Sequence, residues 1–349
     1  MFASLAFSLG LCLLPASELP LSPSQDPVPA SSPNAAGAAA EALSSAPLDA
    51  LEIELGGGLP RLIVPQGERL VYNARVSLGP VEATIGRVTL SGDSEEYRPG
   101  LLLPGPGARE GDQRTGILRA AAEGRYQSLY VLDAQITTRF LPQEWPRVRY
   151  FYEQRGTEKR RREILLGQRG GEGRASYRSD TGEGAPRGTR IWKRPQERDL
   201  PYPMAVDTMG AIYLVRTMVA DELEELSFPM VTKLRLWDVN LRRGESAGHD
   251  LPAGRFHAQQ VLLSTQRHPD DPQDGRFEGL FGMHGDIEIW VDPATGIPVR
   301  VVGQVPLGSM LEIGVDMQLA EYSGTPPSFA PLGAQPAPVE EPDQGEQDD

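Results

Sequence analysis

Apolar residues recur at every second position through much of the middle of this chain. In RLVYNARVSL, Leu70, Tyr72, Ala74, Val76 and Leu78 share one face, with Asn73, Arg75 and Ser77 opposite. SMLEIGVDMQLAEY sets Leu311, Ile313, Val315, Met317 and Leu319 against Glu312, Asp316 and Gln318. GRYQSLYVLDAQIT puts Tyr126, Tyr130, Leu132, Ala134 and Ile136 on one side. Period two with one apolar face is the mark of antiparallel strands that bury one side and wet the other. DIEIWVDPATGIPVRVV reads as a hairpin whose turn holds Asp292, Pro293 and Gly296. Around Gly86 the apolar parity flips, from Val81, Ala83 and Ile85 to Val88 and Leu90, which predicts a β-bulge.

The period changes once, in MAVDTMGAIYLVRT. Residues 207–218 read as a helix with Asp207 as its N-cap. Ala211, Leu214, Val215 and Met218 form one apolar face; Met209, Ile212, Tyr213 and Arg216 form a second, roughly opposite. A helix apolar on both faces is buried on both. The expected fold is therefore mainly β: one large curved antiparallel sheet or incomplete β-barrel, plugged by one short buried helix at about 207–218. Arg216 is the anomaly, since a buried guanidinium must be hydrogen-bonded. Either a carboxylate or strand-end carbonyls of the fold receive it, or Tyr213 and Arg216, with Met209 and Ile212 beside them, face an anionic group on a ligand.

Composition adds the ends of the chain. Among 349 residues, 38 Gly and 32 Pro suit many short strands with turns. MFASLAFSLGLCLLPAS, residues 1–17, reads as a signal peptide, although no Lys or Arg precedes its apolar run. Its Cys12, the single cysteine, follows Leu11, where acylation calls for a small residue, so cleavage with the signal is preferred to lipid anchoring. Residues 18–48 read as a disordered Pro/Ala/Ser-rich tether and 323–349 as a disordered acidic, Pro-rich tail, leaving 49–322 as one β-rich domain. These features point to export to the periplasm or cell envelope, with no transmembrane span in the mature chain. A net charge of -14 argues against nucleic acid as a partner.

Charge is unevenly spread. From Arg155 to Arg198 the chain carries thirteen basic and six acidic residues, centred on Arg160, Arg161 and Arg162. Such a basic hairpin could meet an anionic polymer or headgroup; alternatively its arginines pair with the acidic remainder or guard a strand edge.

The chain resembles the secreted bacterial family catalogued as domain of unknown function 3108. ERLVYNARVSLGPVEATIGRVTL, with Glu68 and Tyr72, is similar to the strand that opens its members. Asp207, Tyr213 and Arg216 match the family's helix pattern, while Gly210 stands where a serine recurs. Trp290, Asp292, Pro298 and the Gly308-Ser309 pair before a last amphipathic strand match its ending. The resemblance spans roughly 66–322 and implies a β-rich envelope domain, without an established activity.

No Walker-type loop, nucleophile elbow, HExxH or cysteine pair is present, and no metal or cofactor is implied. The four histidines, His249, His257, His268 and His284, read first as solvent-facing or hairpin-loop residues. His257, His284 and Asp286 could form a metal or general-base cluster if the strands brought them together. The leading reading is a non-catalytic envelope protein that holds an apolar or amphiphilic ligand in a concave sheet. The rival is a structural or assembly module acting through the basic hairpin 155–198; the third option is a hydrolase with His257 or His284 against a carboxylate.

Overall fold

The computed structural model describes residues 51–324, apart from 54–58, 60–61, 79–80, 97–113, 127–129, 142–146, 158, 170, 181–190, 272–274 and 308–310. The expected leader with Cys12, the tether 18–48, the tail beyond Gly324 and the Gly308-Ser309 pair lie outside the described residues.

The strands are β1 Leu51–Ile53, β2 Leu62–Val64, β3 Glu68–Leu78, β4 Val81–Glu96, β5 Arg114–Tyr126 and β6 Tyr130–Phe140. They continue with β7 Val148–Gln154, β8 Arg160–Arg169, β9 Glu172–Ser179 and β10 Gln196–Leu200. The helix α1, Thr208–Ala220, follows, and then β11 Glu225–Thr232, β12 Arg235–Leu251 and β13 Gly254–Arg267. The last three are β14 His284–Val291, β15 Pro298–Leu307 and β16 Leu311–Ser323.

β1 and β2 pair with each other, and the other fourteen form one antiparallel sheet in the order β10-β9-β8-β7-β6-β5-β4-β3-β16-β15-β14-β13-β12-β11. Neighbours in the large sheet are also neighbours in sequence except at one join, β3 with β16. The two edges, β10 and β11, are themselves consecutive. Had they paired, the meander would have closed into a barrel; instead the chain between them leaves the sheet and becomes α1.

Twelve of the thirteen helical residues are buried, all but Ile212. The helix packs against β2 of the small sheet and against β5, β11 and β14, strands far apart in the large one, so the large sheet curls around it. Both apolar faces are satisfied as their spacing predicted. Asp207 caps the helix, its Oδ1 accepting the Gly210 N–H at 2.9 Å and its Oδ2 the Thr138 hydroxyl.

The bulge near Gly86 is present. Ala74 pairs with Gly86 but Arg75 with Thr84, so Ile85 has no opposite number. Glycine is needed there because a Cβ would stand 2.2 Å from the Glu123 carbonyl oxygen. The 291–298 turn forms too: Gly296 has φ +62° and donates its N–H to the Asp292 carbonyl at 2.7 Å.

The open edges are clasped by other means. Val206, just ahead of the helix, makes a parallel bridge to β11, donating to Pro229 at 2.9 Å and accepting from Val231 at 3.0 Å. Arg198 of β10 reaches across to the Leu234 carbonyl at 2.9 Å and the Asp271 carboxylate at 2.7 Å. Among the described residues no helix is long and apolar enough to cross a membrane.

Candidate functional site

Arg216 is received by Glu68. Its Nη1 donates to Oε2 at 2.6 Å and its Nη2 to Oε1 at 2.9 Å, with both side chains almost completely buried. Glu68 opens β3, so the fork ties the plug to the first long strand of the sheet. The guanidinium lies 5.3 Å from the centre of the Tyr213 ring. Desolvation pulls the guanidinium's pKa down, but the Glu68 carboxylate outweighs it and the group stays charged. Burial pushes the Tyr213 and Tyr72 phenols up, so both remain protonated; Tyr72 donates to the Pro298 carbonyl at 2.6 Å. Met209 and Tyr213 belong to the continuous core, and Ile212 is packed against it. Trp290 is buried as well, its ring 4.4 Å from that of His249. The residues proposed from sequence to face a ligand are thus interior packing, with a protein carboxylate opposite the cation.

An opening lies elsewhere, at the seam where the sheet stays open. It is a small, half-open cleft, lined by Tyr150, Tyr152, Arg160, Arg162, Ile164 and Tyr177 on one side. Thr208 of the helix start, Thr232, Lys233, Glu278 and Phe281 complete the wall. Strand register explains the first group. Tyr150 pairs with Ile164, Tyr152 with Arg162 and Gln154 with Arg160, while Ile164 pairs with Tyr177 on the far side. Residues directly opposite share a face, so three phenols and two arginines converge.

The same register splits the basic run. Arg160 and Arg162 face the cleft, whereas Arg161 falls on the outer face, 3.4 Å from Asp180 and 5.0 Å from the Trp192 ring centre. Arg149 and Arg178 on that outer face both bond the buried Glu163. The three consecutive arginines therefore do not make one patch, because a strand turns alternate side chains to opposite sides.

Within the cleft, Glu278 bridges the seam: Arg162 Nη1 donates to its Oε2 at 3.0 Å and Lys233 Nζ to its Oε1 at 2.6 Å. Burial raises the Glu278 pKa, but the two cations outweigh it and hold the carboxyl below the usual range. Arg162 also lies 5.7 Å from the Tyr152 ring centre, and Gln154 Oε1 accepts from both Tyr152 and Arg160 at 2.8 Å. Burial, with Asp207 nearby, drives the Tyr150 phenol far up, so it stays a proton donor.

The histidine cluster does not assemble. His284 is buried and Asp286 exposed, although they are two apart in one strand. Gly285 at φ +75° and a register irregularity between His284 and Glu288 break the alternation that would have aligned them. His257 is exposed and pairs with Gly248, at the far end of β13 from His284. His284 Nε2 does approach a carboxylate, Glu312 Oε1 at 3.4 Å, but neither residue lines the cleft. His268 meets the Tyr202 hydroxyl at 2.8 Å. Among the described residues no group of three or more His, Cys, Asp or Glu side chains is placed to hold a metal.

Sequence reading passed over the cleft's tyrosines, Lys233 and Glu278. The alternation of Tyr150 and Tyr152 in VRYFYEQ was visible, but only pairing showed what stood opposite.

No protein-family model matches the chain, so the resemblance to family 3108 rests on its short motifs; no curated protein matches it significantly either. Among solved structures it is similar to a β-barrel-like protein of domain of unknown function 1849 from Brucella abortus. That match has a TM-score of 0.45 and 10% identity over 73% of this chain and 96% of that one. A second is a protein described as a candidate exported protein with a YmcC-like fold, from Bacteroides fragilis. There the TM-score is 0.27 and the identity 8%, over 74% of this chain and 97% of the other.

Proposed function

We propose that this chain is an exported envelope protein that holds the polar end of an amphiphilic molecule in the seam cleft, without chemistry of its own. The observation that carries this reading is the convergence of Tyr150, Tyr152 and Tyr177 with Arg160, Arg162 and Lys233 around one opening. Phenol rings combine apolar faces with hydroxyl donors, which suits a molecule greasy along one side and polar at its end. Ile164 and Phe281 add apolar wall. The apolar leader-like start, residues 1–17, supports export.

The test is solvent extraction of the full chain purified from its host's envelope, followed by mass spectrometry. A bound amphiphile is expected, and it should be depleted in the Tyr152→Ala, Tyr177→Ala double variant. If nothing is extracted and a fluorescent amphiphile is not retained in solution, the reading is wrong.

A further inference from the structure

Resting on that reading of the seam cleft, we propose that the group it accepts is a phosphate, and that Glu278 is a built-in stand-in for it. Two cations approach one point from opposite sides of the seam, Arg162 from β8 and Lys233 from the β11–β12 turn. Each gives one donor to one oxygen of the same carboxylate. Two oxygens of a phosphate present a similar pair of acceptors and leave further oxygens for the phenols of Tyr150 and Tyr177, which a carboxylate lacks.

Charge points the same way. Arg160, Arg162 and Lys233 line the cleft against one acidic side chain, Glu278, an excess of two positive charges. A phosphate monoester carries between about one and a half and two negative charges at neutral pH, and a diester one.

The cations are the fixed partners and the carboxylate the yielding one. The side chains of Arg162 and Lys233 are 20% and 28% exposed, that of Glu278 38%. Glu278 therefore loses least by turning out to water. Backbone geometry also concentrates here: of the three non-glycine residues with positive φ among the described residues, two line this cleft, Lys233 at +63° and Phe281 at +52°. Left-handed geometry in such residues persists only where surrounding structure holds it. Kept ionised by its neighbours, Glu278 competes with an incoming anion and sets a threshold for its binding.

Calorimetric titration of the full chain and its Glu278→Gln variant tests this, with three probes: inorganic phosphate, a soluble short-chain phosphatidylglycerol and a neutral maltoside detergent of matched chain length. Removing the competing charge should tighten binding of a phosphate-bearing probe about tenfold, the effect of one modest ionic contact, and leave the detergent unchanged. Gain for inorganic phosphate identifies a free-anion site; gain confined to phosphatidylglycerol identifies a lipid headgroup, and both support the proposal. Detergent bound with no gain for either phosphate probe overturns the stand-in while leaving the amphiphile reading intact. Gain for inorganic phosphate with neither phosphatidylglycerol nor detergent bound does the reverse. Lys233→Gln, a change at the half-buried β11–β12 turn, is the second variant: it should weaken phosphate-probe binding several-fold in the wild-type background. Unaltered affinity there sinks the proposal whatever becomes of Glu278→Gln.

Discussion

Arg216 and Glu68 stand 148 residues apart in the chain and meet in a two-point contact of 2.6 and 2.9 Å inside the curled sheet. One belongs to the plug, the other to the strand that opens the sheet. The contact therefore reports whether α1 is seated. Neither charge has access to water, so each depends on the other for its solvation.

Breaking that pair should be costly. Arg216→Ala strands a buried carboxylate and should lower stability by about 3–5 kcal/mol, read as a fall in the denaturation midpoint. Replacing both partners, Glu68→Leu with Arg216→Met, should recover much of the loss because no charge is left unpaired. A double variant as unstable as the single one would show that the fork contributes more than mutual neutralisation.

Asp207 should respond to pH in a predictable sense. Burial raises its pKa above the ordinary value, against the pull of Thr138 and the helix N–H groups. In the folded chain it thus takes up a proton at higher pH than in the unfolded chain. Its contribution to stability rises as pH falls through the folded pKa and levels off below the unfolded value. The stability difference between Asp207→Asn and wild type should accordingly shift in favour of the wild type on acidification from pH 7 to 3. A difference that does not vary with pH would contradict this.

Glu278 should show the opposite sense. Its pKa is lowered, so the stability of its ionised contact is present above the unfolded value and lost as pH falls through the lower, folded one. Thermal melts below about pH 4.5, the ordinary carboxylate region, should lose this contribution in the wild type. Glu278→Gln should lack that component, and equal acid sensitivity of the two proteins would count against the clasp.

Gly86 should resist substitution. A methyl group at this position meets the Glu123 carbonyl at 2.2 Å and the Gly124 Cα at 2.7 Å, both backbone atoms that cannot swing away. Gly86→Ala should cost about 1–3 kcal/mol as overpacking, measurable by urea unfolding. Near-neutral behaviour would mean that β4 and β5 separate more readily than their pairing suggests.

Arg161 and Arg162 should separate functionally. Arg162→Gln should weaken amphiphile retention several-fold, whereas Arg161→Gln, on the outer face, should leave it within about twofold, under half a kcal/mol. Equal loss in both would favour the basic hairpin as a general attractive surface.

Much of the architecture was legible before any coordinates. Period-two alternation around Leu70–Leu78 and Leu311–Leu319 specifies strands with one buried face, because successive side chains must point to opposite sides. The two apolar faces of 207–218 specify a helix enclosed on both, and Asp207 marks its start. Gly86 announces its bulge through a change of parity. All of these are local consequences of backbone geometry.

What tertiary structure alone decided is pairing over distance. No local rule joins Glu68 to Arg216, β3 to β16, or Tyr152 to Arg162 and both cations to Glu278. The sequence showed that a cation would be buried at position 216, whereas the order of strands chose the carboxylate that meets it. Likewise, spacing could not reveal the cleft, because its walls come from β7–β9, the helix start, the β11–β12 turn and residues 278–282, which only the fold brings together.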